Sequence, residues 1–148
     1  MTTLAIHQIQ YLPWLGYFHK IANCDFFVFL DDVQYKKREF QNRNKIRTPN
    51  GWEYLTVPVL TKGKFFQKLN EVLINNSYNW RKDHLKAIQQ NYHKAKYFKN
   101  YEYFFQNLYS KPWEKLIDVS FEIIKFLLNV FKIKTPYCFS SELNISTT

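Results

Sequence analysis

Apolar residues are spaced in two different ways along this chain. Over roughly the first sixty positions they come as short runs broken by polar, proline- and glycine-containing stretches; past residue 80 they recur every three or four residues. Runs of that length predict strands, and the wider spacing predicts helices. Leu4-Ala5-Ile6 reads as a buried strand opening the fold, and Pro13 with Gly16 punctuates a loop from Gln8 to Trp14. Tyr17 to Asn23 places Phe18, Ile21 and Ala22 on one face of a short helix. Asp25 to Leu30 is a continuous apolar run of strand length that ends in two acids. Strand, loop, helix, strand is a βαβ pattern and predicts parallel pairing. Pro49-Asn50-Gly51 then signals a turn before a strand from Trp52 to Val59, whose Pro58 belongs at an edge or bulge. Val72-Leu73-Ile74 reads as one more short strand, after which Ser77 or Asn79 can cap a helix starting near Trp80.

The second half reads as helical. Leu85, Ile88 and Tyr92 keep helical spacing, as do Tyr97, Tyr101, Phe104, Phe105 and Leu108, and this aromatic crowd predicts core and inter-helix packing. Ser110, Pro112 and Glu114 resemble a cap and first turn for a last helix, whose stripe runs from Leu116 through Phe121 and Ile124 to Phe131. Thr135-Pro136 breaks that pattern, and Lys134 to Leu143 approaches another strand or loop. The remaining residues, through Thr148, offer no closing element. The fold class expected is α/β: an N-terminal βαβ with a small, mainly parallel sheet, a helical second half, and a relation to nucleotide-binding Rossmann-like folds.

With 148 residues and 46% hydrophobic content, one domain spanning 1–148 is expected. The longest apolar stretch, Phe121 to Phe131, is interrupted by Glu122, Lys125 and Asn129, so no membrane span is predicted. The N-terminus lacks a secretory pattern, and Cys24 and Cys138 read as two buried free thiols, with a disulfide between them as the alternative. The expected location is the cytoplasm. Net charge is +9, which invites a nucleic-acid reading. However, lysine far outnumbers arginine and asparagine is abundant, as in proteins from AT-rich genomes, so the local cluster from Lys36 to Arg47 says more than the total.

His7-Gln8, Tyr11 through Phe18, Lys20-Ile21, Asp25, Asp31-Asp32-Val33-Gln34, Gln41 through Ile46 and Asn50-Gly51-Trp52 together resemble the WbqC-like family. Trp80, His84, Tyr92, Tyr97-Phe98 and Ser140-Ser141-Glu142-Leu143 follow in that family's order. Ile9 stands where the family usually has proline, and members normally continue beyond Ser141-Glu142-Leu143, so a C-terminal segment is expected to be lacking. The resemblance implies an enzyme of bacterial surface-polysaccharide biosynthesis of the O-antigen type. It would transfer an acyl or aminoacyl group, glycine for example, to a nucleotide-linked amino sugar.

The residues can be weighed against that chemistry. A pyrophosphate needs cations, and the planar fork of Arg43 grips phosphate oxygens with two bonds, while Lys36, Lys37 and Lys45 add charge. Asp31 and Asp32 close a strand, where α/β folds place site residues; strand alternation lets one of them face the site, as base or magnesium ligand. His7 has the unperturbed pKa of a base for amine chemistry. Gln8, Gln10, Asn42 and Asn44 suit sugar hydroxyls, and Tyr11 and Trp14 suit stacking on a ring. Pro13 to Tyr17 also occupies the strand-to-helix setting in which nucleotidylyltransferases and pantothenate synthetase carry His-x-Gly-His, with Gly16 letting backbone approach phosphate. Trp14 and Tyr17 replace both histidines, which argues against direct ATP chemistry and for an activated donor such as an aminoacyl-tRNA, with ATP as the weaker alternative. The alternatives are a non-catalytic basic module that binds RNA or an acidic partner through Lys36, Lys37 and Arg47, and a degenerate fragment of the family.

Overall fold

The computed structural model describes residues 1–143, so the expectation for the last five residues lies outside the described part. Strand β1 (Leu4–Gln8) and strand β2 (Phe26–Leu30) run parallel, joined through helix α1 (Leu15–Ala22). The βαβ unit expected from the apolar runs is therefore present. α1 forms because Tyr17, Phe18 and Ile21 share a stripe that all three bury. A third strand, β5 (Tyr137–Phe139), pairs parallel with the other edge of β2 and gives the order β1-β2-β5. The approach to a strand near Lys134 is thus a closing strand of its own.

The two faces of this sheet differ. Ala5, His7, Phe27 and Phe29 point one way, where Phe27 meets Tyr17 of α1 and Phe29 meets Phe121 of helix α4 (Leu116–Val130). The other face carries Leu4 and Ile6, which remain 56% and 45% exposed, so β1 is an edge strand and not the buried one its apolar run predicted.

Between β2 and β5 the chain builds a hairpin and three helices. Strands β3 (Arg43–Thr48) and β4 (Gly51–Thr56) are antiparallel, with Thr48 opposite Gly51, so Pro49-Asn50 is a two-residue turn. β3 lies within the basic cluster and was not expected as a strand: Asn44 and Ile46 point inward, and Arg43, Lys45 and Arg47 point out. The expected strand at Val72–Ile74 is reduced to isolated bridges, Ile74 to Val59 and Leu73 to Lys115. Helix α2 (Trp80–Tyr92) begins after Asn79, whose side chain makes no capping bond. Helix α3 (Phe98–Ser110) includes Ser110 as its last residue, which corrects the reading of Ser110 as a cap. Residues 111–115 stay extended because their backbone is used elsewhere: Ile74 N–H donates to Glu114 O at 2.8 Å, and Leu116 N–H to Val72 O at 3.0 Å. The aromatic crowd is packing, as expected; Phe104 stacks on Phe126 of α4 with ring centres 3.6 Å apart. Cys24 and Cys138 are free thiols, half-buried where the sequence predicted buried ones.

Candidate functional site

The expected site residues separate into three places. At the carboxyl ends of β2 and β5, Asp31 and Asp32 gather around one serine. Ser140 Oγ lies 3.0 Å from Asp31 Oδ1 and also contacts Asp32, and it accepts the Asp31 N–H at 3.2 Å. Both carboxylates therefore face the same hydroxyl, against the expectation that only one would face the site. The reason is that β2 ends at Leu30, so strand alternation no longer applies to them. Asp31 further accepts from Ser141 N–H at 2.9 Å, Ser141 Oγ at 2.6 Å and Asn70 Nδ2 at 3.4 Å. Burial alone would raise its pKa, but these donors outweigh it and hold the carboxyl below its ordinary value. Asp31 also lines a hollow of about 410 Å³ against α4, with Lys115, Asp118 and Lys125. Among the described residues no third histidine, cysteine or acid joins Asp31 and Asp32 into a metal-sized group.

The loop after β1 is sewn into the fold rather than open. Tyr11 is fully buried: its hydroxyl lies 2.8 Å from His84 Nδ1 and 2.6 Å from the Tyr109 hydroxyl. It cannot stack on a ligand ring where it stands. Gln41 Nε2 donates to Gln8 Oε1 at 2.8 Å, and Gln41 Oε1 accepts the Lys36 N–H at 2.8 Å. Asn44 Nδ2 donates to Leu12 O at 2.7 Å, beneath a left-handed Leu12 with φ 48°. Gln8 and Asn44 are thus bonded to protein. The room above Gly16 is filled by the Trp14 indole, which lies where a Cβ would sit, so the glycine accommodates tryptophan rather than a phosphate. The Trp14 ring itself is exposed. His7 stacks 5.0 Å from Tyr17, and burial, helped by the nearby Lys20 charge, lowers its pKa. His7 Nδ1 and Gln10 Oε1 are both buried without a partner among the described residues.

The third place is a basic groove. Lys37, Arg38, Asn42 and Arg43 line a hollow of about 450 Å³ with Tyr35 and Tyr78. Next to it, Lys36, Lys62, Lys64 and Gln67 line one of about 690 Å³. The two share Tyr35, Lys37 and Thr61, and neither is lined by an acid. An acid-free run of six cations makes a positive potential suited to an anion. Arg43 donates to Arg38 O, which turns on a left-handed Arg38 with φ 64°, and its guanidinium lies 4.3 Å from the centre of the Tyr54 ring. Burial raises the Tyr35 phenol to about 12, partly offset by Arg43, so it remains a neutral hydroxyl. Two acceptor atoms on residues lining the groove, Asn42 Oδ1 and Gln67 Oε1, are buried without a partner among the described residues. Lys45 stands outside, on the outer hairpin face, 3.7 Å over the Trp52 ring.

Lys37, Asn42 and Arg43 are therefore brought together, while Asp31, Asp32 and His7 are placed apart from them. The chain positions that complete the groove, Tyr78, Lys62, Lys64 and Gln67, lie between the expected strands and helices, and no motif marks them. Ser140 and Ser141 stand in the string that carried the family resemblance, but nothing in the sequence ties them to Asp31.

Comparison with known proteins adds one relative and one family. The protein Rv1507c of Mycobacterium tuberculosis, described only as uncharacterized, is 47% identical over 98 residues, which is 66% of this chain and 42% of that protein. The chain thus spans less than half the length of this relative. No solved structure matches. The model of the WbqC-like protein family matches residues 8–148, and the chain belongs to that family.

Proposed function

We propose that this chain transfers an acyl or aminoacyl group, such as glycine, to a nucleotide-linked amino sugar during assembly of a bacterial surface polysaccharide of the O-antigen type. The observation that carries this reading is the acid-free groove lined by Arg43, Arg38 and Lys37, with Asn42 and Gln67 among its polar lining residues. Cations suit a pyrophosphate, and amides suit the hydroxyls of a sugar. Trp14, exposed at the start of α1, supplies a face for a ring.

Of the two bases considered, His7 fits better than Asp31. A carboxylate saturated with donors and held below its ordinary pKa is a poor proton acceptor near neutrality, whereas His7 is neutral there with Nδ1 unbonded. The sugar amine would attack the acyl carbonyl and give up its proton to water, since His7 lines neither hollow of the groove, and the donor's leaving group would depart. An acyl-adenylate made from ATP, or an aminoacyl-tRNA, is activated enough for this. Arg43→Ala is expected to weaken binding of a UDP- or dTDP-linked amino sugar by roughly tenfold or more, with the thermal midpoint kept. Unchanged affinity in a titration would remove the assignment.

A second reading, an RNA-binding module, is favoured by the outer face of the hairpin. There Arg43, Lys45 and Arg47 alternate opposite Thr56, Tyr54 and Trp52, a mixture of charge and exposed rings. It predicts affinity for a short RNA that falls steeply with salt and drops on Lys45→Ala and Arg47→Ala.

A further inference from the structure

We propose that the turn spanning residues 61–67 docks the protein on an anionic membrane surface, with Phe65 and Phe66 entering the boundary between headgroups and acyl chains. Phe65 and Phe66 are 76% and 82% exposed, an unusual position for two adjacent large apolar side chains. Their exposure is built in. Lys64 N–H bonds Thr61 O at 3.1 Å, Gln67 N–H bonds Lys64 O at 3.4 Å, and Gly63 takes the left-handed conformation (φ 71°) that closes the turn. From outside, Gln34 Nε2 donates to Phe65 O at 3.0 Å, and Tyr35 N–H to Gln67 O at 2.9 Å. The backbone of the turn is thus fixed to the segment after β2 while both rings remain exposed.

The charge around the rings matches an anionic surface. Lys62 and Lys64 flank them within the turn, Lys68 follows, and Lys36 and Lys37 line the same hollow as Phe65. From Tyr54 to Asn70 the chain holds no acid; the nearest, Glu71, accepts the Lys68 N–H at 2.8 Å. Aromatic rings flanked by lysines are the composition of segments that lie in a membrane interface, the ammonium groups reaching the headgroups while the rings go deeper. A nucleic acid fits the pair less well. The two rings stand at 89° to one another with centres 4.9 Å apart, so they offer no run of parallel faces for successive bases. No helix among the described residues is long and apolar enough to cross a membrane, so the contact is peripheral. Because Phe65 borders the basic groove, docking would set the mouth of the groove at the lipid surface.

The test is co-sedimentation with vesicles of phosphatidylcholine alone and of phosphatidylcholine with about one-third phosphatidylglycerol, at about 0.15 M salt. The wild-type chain should partition at least about tenfold better onto the anionic vesicles. The double variant F65S/F66S should lose about tenfold while keeping its thermal midpoint, and K62Q/K64Q should weaken binding and flatten its salt dependence. Leu15→Ser, which removes an exposed leucine elsewhere, should change nothing. Failure of the wild type to sediment, equal binding by F65S/F66S, or an equal loss with Leu15→Ser would overturn the proposal. So would loss of a short RNA ligand in F65S/F66S with vesicle binding intact. Nucleotide-sugar binding by Arg43→Ala is read without lipid, so the transferase reading and this one can fail separately.

Discussion

At the scale of single residues, the buried network of Tyr11, His84 and Tyr109 matters most for stability. One arrangement satisfies every atom: His84 Nε2–H donates to Thr56 O at 3.1 Å, the Tyr11 hydroxyl donates to His84 Nδ1, and the Tyr109 hydroxyl donates to Tyr11. That requires a neutral imidazole, and burial lowers the His84 pKa from 6.5 to about 4. Between those values the unfolded chain binds a proton that the folded one refuses. Stability is therefore full above pH 6.5 and declines as pH falls to about 4, by about 3 kcal/mol in all. Urea titrations across that range should show the decline. Tyr11→Phe should cost about 1–3 kcal/mol, more than Tyr109→Phe, because it strands two partners instead of one. A pH-independent stability, or a larger cost at Tyr109, would show that the network is not arranged this way. None of this was legible in the sequence: Tyr11 read as a ring for stacking on a ligand, and nothing local ties it to His84 and Tyr109, which lie 73 and 98 positions away. Arg43 was legible because its chemistry does not depend on which distant residues join it. Asp31 was only half legible, since its position at a strand end is local but its partners Ser140 and Ser141 lie 109 and 110 positions away.

At the scale of elements, what was legible depended on whether an element's pattern is local. α1 and β2 were legible because each buries a stripe or run of its own, and β1 was legible as a strand although its apolar Leu4 and Ile6 stay exposed. β3 was hidden because its inward residues are Asn44 and Ile46, so half of its alternation is an amide, and its outward residues are all cations. The cap misplaced at Ser110 failed for a different reason: residues 114–116 pair with 72–74, a contact invisible to helical spacing. The two faces of the parallel sheet give an element-scale prediction. Parallel sheets are usually covered on both sides, yet here Phe29 is sealed on one face and Ile6 is half exposed on the other. Phe29→Ala should cost about 3–5 kcal/mol, whereas Ile6→Lys should stay within about 0.5 kcal/mol. Comparable losses in chemical denaturation would mean that the Ile6 face is packed in solution.

At the scale of the whole molecule, the long excursion from β2 to β5 must return to the sheet, and the return rests on a small contact. β5 is three residues long and pairs with β2 alone, which is little ladder for an edge strand. What adds to it is the Asp31 carboxylate, which ties Ser140 and Ser141 to the end of β2, assisted by the Phe139 N–H bonding Glu142 at 2.9 Å. The donors run from the late segment to the early one, so a single side chain holds two ends of the sequence together. Asp31→Ala would leave the Ser141 N–H and hydroxyl short of an acceptor, while Ser140 Oγ keeps Asp32, and should cost about 2–3 kcal/mol. The loss should not be uniform. α1 and α4 pack on the sheet through Tyr17 and Phe121, which the substitution leaves in place, so the amides of Phe139 and Ser141 should exchange hydrogen well before those of Phe27 and Ile123. Exchange that quickens equally everywhere would mean that β5 opens only with the whole fold. Exchange that quickens only at the end of the chain would establish Asp31 as a latch. In that case its substitution should also weaken nucleotide-sugar binding less than Arg43→Ala does, because the basic groove is lined by other segments.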